Sequence, residues 1–216
     1  MPDRYIKKIL EARVYDVAIE TPLDEAKGLS ERLENRILLK REDKQPVFSF
    51  KIRGAYNKMA QLSQAQRDCG VVAASAGNHA QGLAMSAKYL GVKATIVMPK
   101  TTPDVKVNNV RRLGGKVVLH GDAYDDAAAY AQKLVKEKGM TYVHPFDDPD
   151  VIAGQGTTGL EIAEQAAELG VTTGDVLVCC GGGGLTAGVA LALEAHAPQM
   201  RARPVEPVGF ADTKRS

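Results

Sequence analysis

The 216-residue sequence has no tryptophan, only three cysteines and few aromatic residues, which make up 5% of the chain. Two of the cysteines, Cys179 and Cys180, are adjacent, which fits neither a disulfide framework nor the spacing of a zinc site. We therefore expect no bound metal and a reducing, cytoplasmic environment for this protein.

The sequence also lacks an excess of charge and a long apolar run. Lysine and arginine total 28 against 26 acidic residues, which gives a net charge of +2 and argues against a nucleic-acid surface. No apolar run approaches the ~18–20 residues that a membrane helix needs. We expect a small-molecule partner, with neither nucleic acid nor membrane.

The chain does contain a regular alternation of two patterns from residue 37 onward. Short runs rich in β-branched residues predict strands at Ile37–Lys40, Val71–Ala74, Ala94–Met98, Lys116–His120, Thr141–Pro145 and Val176–Cys180. Helical apolar spacing separates or follows them at Ala80–Tyr89, Ala127–Lys136 and Leu185–Ala195. This alternation predicts an α/β fold with a parallel sheet covered by helices on both faces. In such folds ligands bind at the carboxyl ends of the strands.

Four consecutive glycines, Gly181 to Gly184, connect the last of these strands to a predicted helix. Glycine loses more chain entropy on ordering than any other residue, so this run indicates close approach of the backbone to a ligand, most simply a phosphate. A tightly packed turn is the alternative. The run lacks the Gly-Lys-Ser/Thr ending of a nucleotide P-loop. A dinucleotide site stays open, because Gly182, Gly184 and Ala187 match G-x-G-x-x-A and Glu206 follows roughly 20 residues later.

Lys51 follows another predicted strand. Ser49 is the predicted N-cap of a helix that runs to about Leu62, which places Lys51 in its first turn. The helix dipole disfavours an ammonium ion there, so the position suits a lysine that is neutral or bound as an imine. An ordinary surface lysine is the alternative.

A third junction, Ser75-Ala76-Gly77-Asn78-His79, follows the strand Val71–Ala74. The side chains of Ser75 and Asn78 and the N–H groups around Gly77 could bind a carboxylate. Alternatively, Ser75 or Asn78 simply caps the next helix. We expect His79 to be structural rather than a general base.

Taken together, these segments resemble the serine/threonine dehydratase branch of the fold-type II pyridoxal-phosphate enzymes. The matching motifs are Ser-Phe-Lys-Ile-Arg-Gly-Ala at 49–55, Ser-Ala-Gly-Asn-His-Ala-Gln-Gly at 75–82 and Gly-Gly-Gly-Gly-Leu at 181–185, with Ile152–Thr157 also similar. Residues 41–47 are more similar to the biosynthetic than to the catabolic threonine dehydratases. The resemblance implies a tryptophan synthase β-like fold, with a large domain at 1–65 plus 149–216 and a smaller α/β domain at 66–148.

The resemblance also implies roles for individual residues. Lys51 would carry pyridoxal 5′-phosphate as a Schiff base, with Phe50 packed beside it and Asn78 bonded to its 3′-oxygen. The backbone of Gly181, Gly182, Gly183, Gly184 and Leu185 would hold the phosphate. The substrate carboxylate would bind at Ser75, Ala76, Gly77, Asn78 and His79.

The implied activity is the conversion of L-threonine to 2-oxobutanoate and ammonia, the first step of isoleucine biosynthesis, in a dimer or tetramer. Racemases of the family have a second serine where this chain has Ala76, which favours elimination over racemisation. A serine or 3-hydroxyaspartate dehydratase is the alternative within the family. A nicotinamide-dependent oxidoreductase would use the glycine run but leaves Ser49–Lys51 and Ser75–His79 unexplained.

The family continues beyond the last segment of this sequence, 205–216. The resemblance therefore implies that later strands of the large domain, the residue facing the pyridine nitrogen, a cation site and a regulatory domain are absent from it. On this interpretation Glu206 lies on a strand after the glycine run. We expect an uncovered sheet edge and uncovered apolar helix faces, and therefore either low solubility or no stable cofactor binding for the chain alone. An inactive fragment is a further alternative.

Overall fold

The computed structural model describes residues 2–210. Its helices are α1 Pro2–Leu10, α2 Lys27–Leu33, α3 Lys51–Ala60, α4 Gln64–Cys69, α5 Asn78–Leu90, α6 Asp104–Arg112, α7 Tyr124–Lys138, α8 Pro149–Glu168 and α9 Gly184–His196. Its strands are β1 Leu23–Glu25, β2 Leu38–Lys40, β3 Val71–Ala74, β4 Ala94–Met98, β5 Lys116–Leu119, β6 Thr141–Tyr142, β7 Gly174–Cys179 and β8 Met200–Val205. Two short 3₁₀ turns lie at Glu42–Lys44 and Val208–Phe210.

Four parallel strands form the largest sheet, in the order β5-β4-β3-β6. Alternate residues of β3 enter different cores: Val71 and Ala73 pack with α5 and α6, whereas Val72 and Ala74 pack with α7. Both faces of β3 and β4 are therefore buried, as the runs of apolar residues predict. The predicted α/β class, with helices on both faces of a parallel sheet, is confirmed.

The other large packing unit is built around α8, which contacts α3 on one side and α9 on the other. A β-carbon at Gly154 would overlap the backbone of α3, and one at Gly188 of α9 would overlap the backbone of α8. Without side chains at these points, the three helices approach backbone to backbone. Strands β7 and β8 pair in parallel beside α9, and β1 and β2 form a separate antiparallel pair.

All six predicted strands are present, and two of them, Val71–Ala74 and Ala94–Met98, have the predicted bounds. The predicted strand Thr141–Pro145 is shorter, because His144 and Pro145 turn away from the sheet after Tyr142. Glu206 follows β8 rather than lying on a strand, which corrects that prediction. The predicted segment 205–216 extends six residues outside the described ones. No helix within residues 2–210 is both long and apolar enough to cross a membrane.

The prediction that Ser49 caps the lysine helix is wrong. Helix α3 begins at Lys51, and the preceding Phe50 already has helical dihedral angles (φ −59°, ψ −18°). The hydroxyl of Ser49 is buried without a hydrogen-bond partner in the described structure. Because the chain turns in a helical sense before Lys51, the Ser49 side chain is not in position to accept from the N–H groups of the first turn.

Candidate functional site

A cavity of about 610 Å³ lies between the start of α3 and the glycine turn that precedes α9. Its walls come from four separate parts of the chain, which are brought together by the packing of α8 between α3 and α9. The lining residues are Phe50, Lys51, Phe146, Cys179, Cys180, Gly181, Gly182, Gly183, Gly184, Leu185, Val205, Glu206 and Pro207.

Lys51 projects its amine into this cavity from the first residue of α3. Its Nζ donates a hydrogen bond to the carbonyl oxygen of Pro145 at 2.5 Å and lies 5.4 Å from the centroid of the Phe50 ring. Burial lowers the pKa of Lys51 below its usual 10.5, and the nearby thiol of Cys179 opposes this only in part. The neutral amine, which is the nucleophilic form, is therefore favoured relative to a solvated lysine.

Helix α3 is fixed in place by an ion cluster two residues beyond the lysine. The guanidinium of Arg53 is fully buried and bonds to Glu42 at 2.7 Å and to both carboxylate oxygens of Glu161 on α8. Lys40 reaches the same Glu161 at 2.6 Å. Burial alone would raise the pKa of Glu161, but Arg53 and Lys40 outweigh it and hold that pKa below its usual range. The cluster therefore stays ionised and ties α3 to α8.

The glycine turn forms the opposite wall. Gly183 has a φ of 82°, which an L side chain rarely adopts, and α9 begins at the next residue. A β-carbon at Gly182 would overlap the ring of Phe146, and one at Gly184 would overlap the Phe146 backbone. The first N–H groups of an α-helix have no partner within the helix. Here the N–H groups of Gly183, Gly184 and Leu185 belong to residues that line the cavity, so they offer an anion-binding cradle.

The loop Ser75–His79 lies at the carboxyl end of β3, but its residues do not line this cavity. The Ser75 hydroxyl accepts from the N–H of Gly77 at 3.3 Å, and Gly77 is the N-cap of α5 without a side-chain capping bond. The alternative that Ser75 or Asn78 caps this helix is therefore wrong.

The same loop is nevertheless close to the lysine helix. A β-carbon at Gly82 of α5 would crowd the backbone of Lys51. His79 is buried, its Nε2 donates to the carbonyl oxygen of Val143 at 2.9 Å, and burial lowers its pKa to about 4. The imidazole of His79 is thus neutral and holds the chain just before Pro145.

Sequence reasoning missed part of the site, namely Pro145, Phe146, Cys179 and the residues after β8. The rule that ligands bind at the carboxyl ends of strands would have found Pro145 and Phe146 if it had been applied to the junction after β6. The overlong prediction for that strand concealed the junction.

The cavity therefore combines a nucleophilic amine with a glycine cradle for an anion. A cofactor with both an aldehyde and a phosphate group would fit this pair of features. The family model described as "Pyridoxal-phosphate dependent enzyme" matches residues 14–216. The chain belongs to this family.

Two curated members of the family and one solved structure illustrate the similarity. "Threonine dehydratase 1 biosynthetic, chloroplastic" of Solanum lycopersicum is 55% identical over 204 residues, covering 94% of this chain and 33% of that protein. "L-threonine dehydratase biosynthetic IlvA" of Burkholderia multivorans is 56% identical over 200 residues, covering 91% and 39%. The processed form of threonine deaminase isoform 2 from Solanum lycopersicum superposes with a TM-score of 0.91 at 50% identity, covering 95% of this chain and 56% of that chain.

These matches confirm the predicted fold-type II pyridoxal-phosphate class and the resemblance to biosynthetic threonine dehydratases. The chain spans about a third of the length of the curated relatives it matches. The family's cofactor, pyridoxal phosphate, has the aldehyde and the phosphate that the lysine and the glycine cradle require.

Proposed function

We propose that this chain forms the cofactor-binding part of a threonine dehydratase, which converts L-threonine to 2-oxobutanoate and ammonia in the first step of isoleucine biosynthesis. The observation that carries the proposal is the placement of Lys51 across one cavity from the Gly181–Gly184 cradle, with its pKa lowered by burial. The names of the relatives supply the substrate, since both are called threonine dehydratases.

The proposed residue roles follow from the two sides of the cavity. Lys51 holds pyridoxal phosphate covalently and Phe50 packs beside it. The N–H groups of Gly181, Gly182, Gly183, Gly184 and Leu185 hold the phosphate. Asn78 bonds to the 3′-oxygen, and the loop of Ser75, Ala76, Gly77, Asn78 and His79 binds the substrate carboxylate. The position of this loop, next to the backbone of the lysine helix, supports the last assignment.

The chemistry that we assign to the chain's own residues is a proton transfer and an exclusion of water. When bound, the cofactor supplies an electron sink for the charge that develops at the substrate α-carbon. The amine of Lys51, favoured in its neutral form by burial, takes the α-proton. The threonine β-hydroxyl takes up a proton and leaves as water, so that the α-proton removed and the hydroxyl lost together account for one water. Hydrolysis of the released aminocrotonate gives 2-oxobutanoate and ammonia. The side chain of Ala76 can neither donate nor accept a proton. No acid at this position would therefore reprotonate the substrate α-carbon on the face opposite Lys51, which favours elimination over racemisation.

Organisation and location are further parts of the proposal. We infer a large domain at 1–65 plus 149–216 and a smaller one at 66–148, which the confinement of the four-stranded sheet to residues 71–142 supports. We also propose a homo-oligomer and a reducing compartment such as the cytoplasm. No disulfide joins the three cysteines, all of which lie within the described residues, in agreement with such a compartment.

Borohydride reduction of the chain with pyridoxal phosphate, followed by peptide mapping, tests the lysine. Reduction traps the covalent bond even where the cofactor exchanges rapidly, so stable binding is not required. We expect a pyridoxyl group on Lys51, its loss in Lys51→Ala, and its retention in Lys93→Ala, which removes an exposed lysine that does not line the cavity. A label on another lysine, or no label at all, would contradict the assignment.

Turnover assays then test the substrate. We expect 2-oxobutanoate from L-threonine at a higher kcat/KM than pyruvate from L-serine, and none of either from the Lys51→Ala protein. A Lys51→Ala protein that keeps the wild-type rate would refute the proposed role of Lys51. A preference for serine would redirect the substrate assignment without affecting the role of the lysine.

A further inference from the structure

The segment His144–Asp147, between β6 and α8, separates the amine of Lys51 from the glycine turn. Its Pro145 carbonyl accepts the hydrogen bond from Lys51 Nζ at 2.5 Å. Its Phe146 lies so close to the glycine turn that a β-carbon at Gly182 would overlap the aromatic ring. The distance between the Lys51 amine and the glycine cradle therefore depends on the conformation of this segment.

The ring of His144 holds that conformation. Its Nδ1 accepts the backbone N–H of Asp147 at 2.7 Å and that of Phe146 at 3.3 Å. A backbone N–H can only donate, so Nδ1 must carry a lone pair and the proton of the neutral ring must lie on Nε2. The ring also packs edge-on against Phe146, with centroids 4.6 Å apart.

We propose that His144 is a positioning residue, whose neutral ring holds the Pro145 carbonyl against Lys51 and Phe146 against the glycine turn, and whose protonation at Nδ1 releases both. This inference rests on the proposed role of Lys51 in holding the cofactor. Protonation replaces the lone pair with a third donor facing two donors, so both hydrogen bonds are lost at once.

Other charged and titratable groups around the ring influence the pH at which His144 is protonated. The charged and titratable groups near it are Asp147 and Asp148 of its own segment, Lys51 of α3, His79 of α5 and Tyr142 of β6. Burial lowers the pKa of His144 below 6.5 and Lys51 lowers it further, whereas Asp147 and Asp148 raise it. The folded protein therefore binds this proton less readily than the unfolded chain. The contribution of the ring to stability is present above pH 6.5 and is lost as the pH falls through the lower folded pKa.

The neighbouring His79 provides an internal contrast. Its contact is a donation from Nε2 to the carbonyl oxygen of Val143, which an imidazolium would also make. Burial lowers the pKa of His79 to about 4, so its ring stays neutral in mild acid. Loss of order in segment 144–147 on mild acidification is therefore assigned to His144.

A matched substitution separates position from protonation. In His144→Asn the amide Oδ1 stands one bond from Cγ, where the ring has Nδ1, and can accept from the same two N–H groups without titrating. In His144→Ala both N–H groups lose their acceptor. A structural role without protonation would make the Asn variant behave as the wild type does at every pH.

The first experiment uses NMR on the cofactor-free chain. We expect ¹⁵N shifts of an unprotonated Nδ1 near neutral pH. We also expect exchange protection of the Phe146 and Asp147 amides, relative to intrinsic rates, to fall as His144 is protonated. Protection should be independent of pH in His144→Asn and lost in His144→Ala. A protonated Nδ1 at neutral pH, or an Asn variant that loses protection as the wild type does, would overturn the proposal.

The second experiment measures the affinity for pyridoxal phosphate as a function of pH. We expect the dissociation constant of His144→Ala to be weaker by about tenfold above neutral pH, the amount that two lost hydrogen bonds predict. The affinity of His144→Asn should be nearly wild-type and should fall less in mild acid. Equal affinities of the Ala variant and the wild type would contradict a positioning role. Because the NMR experiment needs no cofactor, failure of the Lys51 assignment and failure of this proposal give different results.

Discussion

The central strands β3 and β4 of the four-stranded sheet and strand β7 of the β7–β8 pair have similar apolar sequences but are buried to very different extents. Every residue of β3 and β4 is buried, because separate cores cover the two faces of the sheet. In β7, Val178 is buried against α9, but Leu177 on the opposite face is 73% exposed. An apolar strand sequence thus predicts a strand, but it does not predict how many of its faces are covered by the described residues.

The same difference in burial distinguishes the two walls of the candidate site. Lys51 and its supporting segment are held from several directions by α5, α8 and the Arg53 cluster. The glycine turn extends from a strand with one covered face. We therefore expect the lysine side to be rigid before the cofactor binds and the cradle side to gain order from it.

The largest expected effect contrasts a buried ion cluster with an exposed ion pair. Arg53→Ala leaves Glu161 and Glu42 without their main partner, and we expect it to lower the free energy of unfolding by about 3–5 kcal/mol. Arg203→Ala removes the pair with Asp175 on the β7–β8 sheet, where both side chains are about half exposed, and should cost under about 1 kcal/mol. Urea denaturation measures both. Similar losses in the two variants would remove the proposed distinction between the regions.

A second pair of substitutions tests the strands directly. Ile96→Ala in β4 removes a fully buried side chain and should cost about 2–5 kcal/mol. Leu177→Ala in β7 removes a side chain that is 73% exposed and should change the free energy of unfolding by less than about 0.5 kcal/mol. A large loss for Leu177→Ala, measured by the same denaturation, would show that its exposed face is covered in solution.

A third pair separates backbone strain from cofactor binding. Gly183→Ala and Gly170→Ala both place a β-carbon at positive φ, 82° and 71°, with no other atom in the way, so each should cost about 1–2 kcal/mol of stability. Only Gly183 belongs to the cradle. We expect Gly183→Ala alone to weaken the binding of pyridoxal phosphate, measured by titration. Equal affinities of the two variants would remove the cradle from the site.

The smallest effect concerns the lysine itself. Burial lowers the pKa of Lys51, so the folded chain holds fewer protons there than the unfolded chain, and stability rises with pH between the folded pKa and 10.5. Lys51→Met should raise the free energy of unfolding at neutral pH by on the order of 1 kcal/mol. The difference from wild type should shrink as the pH rises toward 10.5. Thermal unfolding at several pH values checks this, and a less stable Met variant at neutral pH would contradict it.

The sequence predicts the fold well where one pattern dominates, as in β3, β4 and α7. It fails where strand pairing or backbone dihedral angles, rather than the pattern of side chains, determine the local structure. Strand β8, with alternating arginines and Pro204, carries no apolar pattern and was not predicted, yet it pairs along its whole length with β7. Serine is a favoured N-cap residue, but the helical dihedral angles of Phe50 leave Ser49 without a capping role.

The candidate site shows the same division. Lys51 and the glycine turn could be predicted because their residue types are unusual at helix starts, and the structure places both in one cavity. Phe146 follows a strand end and could be predicted from that position, but its packing against Gly182 and Gly184 could not, because those glycines are far away in the sequence. The role of His144 depends on which ring nitrogen accepts a hydrogen bond, which only the folded backbone defines.

The glycines of α8 and α9 have a consequence for how this site can change over evolutionary time. They set the spacing between α3 and α9, through α8, by contact of main chains, with no side chain left to shorten. Larger residues there would force the helices apart, and smaller ones do not exist. Loops outside this helix contact are free to vary in sequence. The distance between the Lys51 amine and the glycine cradle, in contrast, is fixed and suits a ligand of one length. New reactions on this scaffold are therefore expected to arise with the cofactor unchanged.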